Sequence, residues 1–113
     1  MASSEKAFVR ELNDASEYQR LLGGRPETCG MRSGRVYLEP GKDCGEHSTK
    51  DHEELLVFLA GEGEAQIGPS DRLKVGAGRV AYIAPQTLHN VYNTGSSPLV
   101  YIFCVAPATE AEA

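Results

Sequence analysis

The stretch GKDCGEHSTKDHEELLVFLAG, residues 41–61, decides how the rest of this chain is read. It begins and ends on glycine, carries two histidines and two adjacent glutamates in its middle, and finishes in an apolar run. Side chains alternate between faces along an extended strand. In Glu53–Ala60 one face therefore carries Leu56, Phe58 and Ala60, and the other carries Leu55, Val57 and Leu59. Both faces are apolar, so this strand is expected to be covered on each side.

Outward from this stretch the chain keeps a short-strand rhythm. Downstream, the runs Glu64–Ile67, Arg72–Val75, Arg79–Ile83, His89–Asn93 and Leu99–Val105 alternate with Gly/Pro turns at Gly61-Glu62-Gly63, Gly68-Pro69-Ser70, Gly76-Ala77-Gly78, Pro85-Gln86 and Gly95-Ser96-Ser97-Pro98. Upstream, Gly34–Glu39 and Asp43–His47 flank the turn Pro40-Gly41, and Phe8–Leu12 can add an N-terminal strand. Many short strands at even spacing predict an all-β sandwich or barrel. One segment reads instead as a short N-terminal helix. Asp14 can cap it, Glu17 stands three residues later as in a capping box, Tyr18, Leu21 and Leu22 share a face, and Gly23-Gly24 ends it. The expected organisation is an N-terminal strand and helix segment over residues 1–28 packing on a barrel over 29–107. A frayed, disordered tail is expected over 108–113.

Composition sets the outer limits. With 113 residues there is room for one core. A net charge of −5 with scattered basic residues gives no nucleic-acid-binding stripe. The longest apolar run, Leu99–Ala106, is too short to span a bilayer, and the N-terminus has no apolar signal core. The expectation is a cytoplasmic protein with no nucleic-acid or membrane partner. The three cysteines, Cys29, Cys44 and Cys104, form no CxxC pair, and reduced apolar filler is their expected role. Cys44 lies three positions before His47, so on a regular strand it faces away from it, while Cys104 can face either lumen or interface. Leu99–Val105 is also apolar on both faces. The N-terminal segment or a second subunit must cover the outer side, and a homodimer is expected.

The chain holds three histidines, His47, His52 and His89. With the glycines around them they make two motifs. The first runs Gly41-x5-His47-x-Thr49-x4-Glu54-x6-Gly61, and the second Gly78-x5-Ala84-Pro85-Gln86-x2-His89-x3-Asn93, with sixteen residues between them. In these residues the chain resembles the cupin superfamily, whose motifs run G-x5-H-x-H-x3–4-E-x6-G and G-x5-P-x-G-x2-H-x3-N. The resemblance covers about residues 30 to 106. It implies a double-stranded β-helix, or jelly-roll, barrel and a divalent metal held by the motif histidines and glutamate. It does not imply one reaction, because this fold hosts many.

Three positions depart from the pattern. Ala84 and Gln86 stand where the family has proline and glycine, and read as turn variation. Thr49 stands at the second histidine, and its neutral hydroxyl is a poor ligand beside imidazole. His52 is the candidate replacement, because it lies two residues from Glu54 and on a regular strand would share its face, against the alternative of a pocket-lining or surface histidine. Bringing both His47/Thr49 and His52/Glu54 inward needs a turn or bulge at Lys50-Asp51. With His52 in that place the proposed ligand set is His47, His52, Glu54 and His89, of which the resemblance itself implies His47, Glu54 and His89. Three imidazoles and a carboxylate suit Fe, Mn, Ni, Zn or Cu, with open positions for substrate or water. Arg35 and Tyr37 share one face of a strand and Tyr82 lies within the second motif. All three are candidates for orienting a small polar substrate, against the alternative that the tyrosines are ordinary barrel packing. Asn93 is expected to cap the turn at Thr94-Gly95. Two functions follow. One is a metal-dependent enzyme on a small molecule, a dioxygenase or isomerase. The other is a non-catalytic module holding a small ligand or metal.

Overall fold

A computed structural model describes residues 6–108, and the expected tail from Thr109 onward lies outside them. Nine strands form two antiparallel sheets: β1 (Gln19–Gly23), β2 (Arg32–Leu38), β3 (His47–Ser48), β4 (His52–Ala60), β5 (Glu62–Ile67), β6 (Asp71–Gly76), β7 (Val80–Ile83), β8 (Leu88–Asn93) and β9 (Leu99–Pro107). One sheet runs β1-β2-β9-β4-β7 and the other β3-β8-β5-β6. This is the double-stranded β-helix barrel that the strand rhythm and the paired motifs predict.

The predicted N-terminal helix is absent, and no helix occurs among the described residues, so none is long and apolar enough to cross a membrane. The carbonyls a helix over residues 14–22 would consume are taken by another group. The buried Arg35 guanidinium donates to Ala15 O at 2.8 Å, to Glu17 O at 3.3 Å and to Asn13 Oδ1 at 3.3 Å. Charge-assisted bonds to a buried arginine outweigh one or two helical turns, which are marginal at this length. Gln19–Gly23 pairs instead with β2 as an edge strand, and the residues around Phe8–Leu12 form no strand. The expected Asp43–His47 strand shrinks to a single bridge, Asp43 to Tyr92, before β3 begins.

The core lies between the sheets. Leu38, Leu56, Phe58, Ala65, Val75, Ile83, Val91, Leu99 and Tyr101 form one buried cluster. Phe58 packs on Tyr101 with ring centroids 5.0 Å apart. Gly61 turns β4 into β5 at φ +87, and a Cβ there would collide with the Pro98 carbonyl, so this turn needs glycine. The outward face of β4 behaves differently. Leu55 and Leu59 on β4, with Val80 and Tyr82 on β7, are exposed.

Candidate metal centre

The turn demanded at Lys50-Asp51 is present. Lys50 takes φ +54 and His52 N donates to Thr49 O at 3.0 Å, closing a tight reversal between β3 and β4. Gln86 takes φ +59 where the family has glycine, and its N–H donates to Lys50 O at 2.8 Å. Two non-glycine residues in the left-handed region are costly for the backbone. They persist because the two turns hold each other.

Thr49 completes this join. Its hydroxyl donates to Ala84 O at 2.7 Å and accepts from Thr87 N–H at 3.0 Å, and its own N–H donates to Thr87 O at 3.1 Å. The hydroxyl hydrogen and one lone pair are spent on backbone, which commits Thr49 to this join and leaves it a poor ligand beside imidazole. It ties the first motif to the loop that delivers His89.

Three side chains meet in the barrel mouth. His47 on β3 stands directly opposite His89 on β8, with ring centroids 4.2 Å apart, and Glu54 on β4 reaches them from the other sheet. One ligand atom from each of His47, Glu54 and His89 lies within 4.8 Å of the others. Donors about 2.1 Å from a common ion stand about 3–4 Å apart, so small side-chain movements would close the set.

The hydrogen bonds behind the rings settle which nitrogen faces inward. His47 Nδ1 lies 2.8 Å from Gly45 O and His89 Nδ1 lies 3.0 Å from Thr87 O. A carbonyl only accepts, so in the neutral ring Nδ1 carries the hydrogen and Nε2 keeps its lone pair. His89 Nε2 is buried and makes no hydrogen bond, although Glu54 Oε1 is 3.1 Å away. The two atoms are close but not aligned on each other, as expected of groups aimed at a shared third point. An unpaired buried nitrogen is costly on its own account, and the donor set fits a divalent ion. Burial lowers the His89 pKa, but the Glu54 carboxylate and the Thr87 carbonyl outweigh it, and the net shift is upward.

His52 does not join this group. It lines the same cavity, but its Nδ1 pairs with Asp51 Oδ1 at 2.9 Å. Cys44 also lines the cavity, contrary to its expected outward parity, because the chain before β3 is not a regular strand. Burial pushes its thiol pKa up, which keeps it protonated and a weak donor. The three suggested substrate residues lie elsewhere. Arg35 is held under the N-terminal segment, Tyr37 alternates with the pocket-lining Val36 and so points outward, and exposed Tyr82 donates to Glu53 Oε1 at 2.8 Å on the outer face. Asn93 takes its expected role, its Oδ1 accepting from Gly95 N–H at 2.9 Å.

The cavity is about 530 Å³. Below the triad its walls are apolar: Val36, Leu38, Leu56, Val91, Tyr101 and Phe103. Tyr18 and Arg32 are among the lining residues that lie outside both sequence motifs. Tyr18 enters because the N-terminal segment is extended rather than helical.

Comparison with known proteins follows the geometry. Residues 34–105 match the family model described as "Cupin domain". No curated protein matches. Among solved structures, a protein from Bacillus halodurans aligns with TM-score 0.78 at 21% identity, over 99% of this chain and 89% of that one. The Schizosaccharomyces pombe Cnp3 cupin domain aligns with TM-score 0.71 at 14% identity, over 80% of this chain, which spans only 63% of that one. Bacillus subtilis oxalate decarboxylase, which has Mn(II) centres, aligns with TM-score 0.63 at 26% identity, over 72% of this chain and 22% of that one.

Proposed function

The chain belongs to the cupin domain family, and from that premise we propose that it binds a divalent transition metal through His47, Glu54 and His89 and acts on a small molecule held in the cavity beside it. The buried, unpaired Nε2 of His89, close to Glu54 Oε1 without being aligned on it, carries this reading. A bound ion would supply Lewis acidity to a carbonyl, carboxylate or diol oxygen. The chain's own contribution is orientation and exclusion of water. Gly45 and Thr87 carbonyls fix the imidazoles, Thr49 fixes the loop between them, and the apolar walls below keep a substrate's other atoms dry. Three protein ligands leave coordination positions open, which favours an acting site over a closed structural one. Mn(II) is the first ion to test, given the manganese centres of the oxalate decarboxylase relative; Fe, Ni, Zn and Cu suit the same donors.

Elemental analysis after loading with Mn(II), Fe(II) or Zn(II) tests the metal. One ion per chain is expected, lost in His47→Ala and His89→Ala and kept in His52→Ala. A wild type that retains no ion from any of these solutions defeats the reading. The reaction is proposed to be a dioxygenation or an isomerisation. Oxygen uptake by Fe(II)-loaded protein with diketones, thiols and catechols tests the first, and carbonyl migration in small hydroxy-carbonyl compounds tests the second. Saturable binding without turnover in either panel favours a non-catalytic binding module. We further propose that two copies pair through the exposed Leu55, Leu59, Val80 and Tyr82 on the outer face of β4 and β7. A single-chain sedimentation mass at micromolar concentration defeats that pairing.

A further inference from the structure

Arg32 is the one lysine or arginine lining the cavity among the described residues, and no carboxylate there lies within ion-pair distance of it. Strand register gives its place. Arg32 faces Val105, Val105 faces Glu54 and Glu54 faces Ile83, one row across β2, β9, β4 and β7. Two strand spacings separate the Arg32 and Glu54 backbones, about 10 Å.

The next row inward reads Gly34, Phe103, Leu56 and Ala81. Gly34 has no side chain, and the Tyr18 ring occupies the room, lying so close that a Cβ there would collide with it. Tyr18 stacks on Phe103 with centroids 6.3 Å apart and planes 15° from parallel. Between the arginine and the Glu54 end, the wall is therefore Val105 backed by two nearly parallel rings.

We propose that this half of the cavity is a binding site for a small carboxylate with a flat, apolar body. Its carboxylate lies on Arg32, its body lies along Val105, Tyr18 and Phe103, and its other end is directed toward His47, Glu54 and His89. A free guanidinium beside apolar surface matches such a molecule twice. It offers two parallel N–H donors to a carboxylate, and the wall gains by removing the body from water. A carboxylate without a body meets only the first condition, and a neutral aromatic only the second. The site deepens the proposed function, but only its far end rests on the metal.

Two probes separate these ends: 3-phenylpropionate, which has no chelating group, and 3,4-dihydroxyphenylacetate, whose diol can reach an ion. Binding is read by calorimetry on the apo and the Zn(II)-loaded protein, against the methyl esters and against malonate. Both acids are expected to bind more tightly than their esters and than malonate. Arg32→Gln is expected to weaken both acids at least tenfold, leave the esters unchanged, and leave metal content and thermal midpoint at wild-type values. Arg32→Lys should restore part of the loss. Tyr18→Ala should weaken acid and ester alike. Acid and ester binding equally, acids indifferent to Arg32→Gln, or no binding of either acid at millimolar concentration each overturns the proposal. If the protein takes up no metal and 3-phenylpropionate still depends on Arg32, the metal reading fails and this one stands.

Discussion

The floor of the barrel and its mouth are built from the same strands and obey opposite rules. On β4, Leu56 and Phe58 are almost fully buried among other apolar side chains and make the floor. Two residues earlier on the same face, Glu54 is also buried but is a carboxylate beside two imidazoles. Burial at the floor stabilises the fold. Burial at the mouth strips water from Glu54 and His89, a cost that their 3.1 Å approach offsets while His89 is protonated and that a bound ligand offsets otherwise. One strand thus serves stability at one end and chemistry at the other.

The sharpest way to break this division is at the floor. Phe58→Ala should cost about 3–5 kcal/mol in denaturant unfolding, and the fraction that stays folded should still bind metal. A loss of metal affinity in that folded fraction would show that floor and mouth are not separable. Thr49→Val comes next. It leaves the Thr87 N–H and Ala84 carbonyl without the hydroxyl and should cost about 1–3 kcal/mol. It should also weaken metal binding, because the His89 loop loses its tie.

At the mouth the effect on stability is smaller and depends on pH. A His89 pKa raised in the fold means that the folded apo protein holds this proton more tightly than the unfolded chain does. The stability gained is complete below the ordinary value of 6.5 and is lost as pH rises through the folded value. Apo wild type should therefore lose stability across that window, and Glu54→Gln should flatten the profile while abolishing metal retention. An equally steep profile in the variant would show that Glu54 is not the cause. On the outer face, Leu55→Glu should change monomer stability least, within about 0.5 kcal/mol. It should shift any dimer toward a single-chain sedimentation mass.

The same division explains what could be read from the sequence. Glycine and histidine spacing identified the barrel, the meeting of His47, Glu54 and His89, and the reversal at Lys50-Asp51, because these are local constraints along one or two strands. What the pattern could not supply was the inward face of a strand apolar on both sides. Arg35 and Tyr37 do share a face, but it points away from the cavity, toward the N-terminal segment. The capping signal at Asp14 and Glu17 was locally sound and was overridden by Arg35, a partner some twenty residues away. Tyr18 and Arg32 left no motif. Their place in the cavity depends on Gly34 leaving room for a ring, and on a register that puts Arg32 two strands from Glu54.

The linked turns at Lys50 and Gln86 bear on how fast an ion can arrive. With their backbones bonded to each other and Thr49 spanning both, the two sides of the mouth are already in position before any ligand comes. Association should then show a single phase whose rate rises linearly with ion concentration, limited by loss of the ion's own water rather than by a rearrangement of the chain. A plateau in that rate at high ion concentration would reveal a slow opening of the two turns.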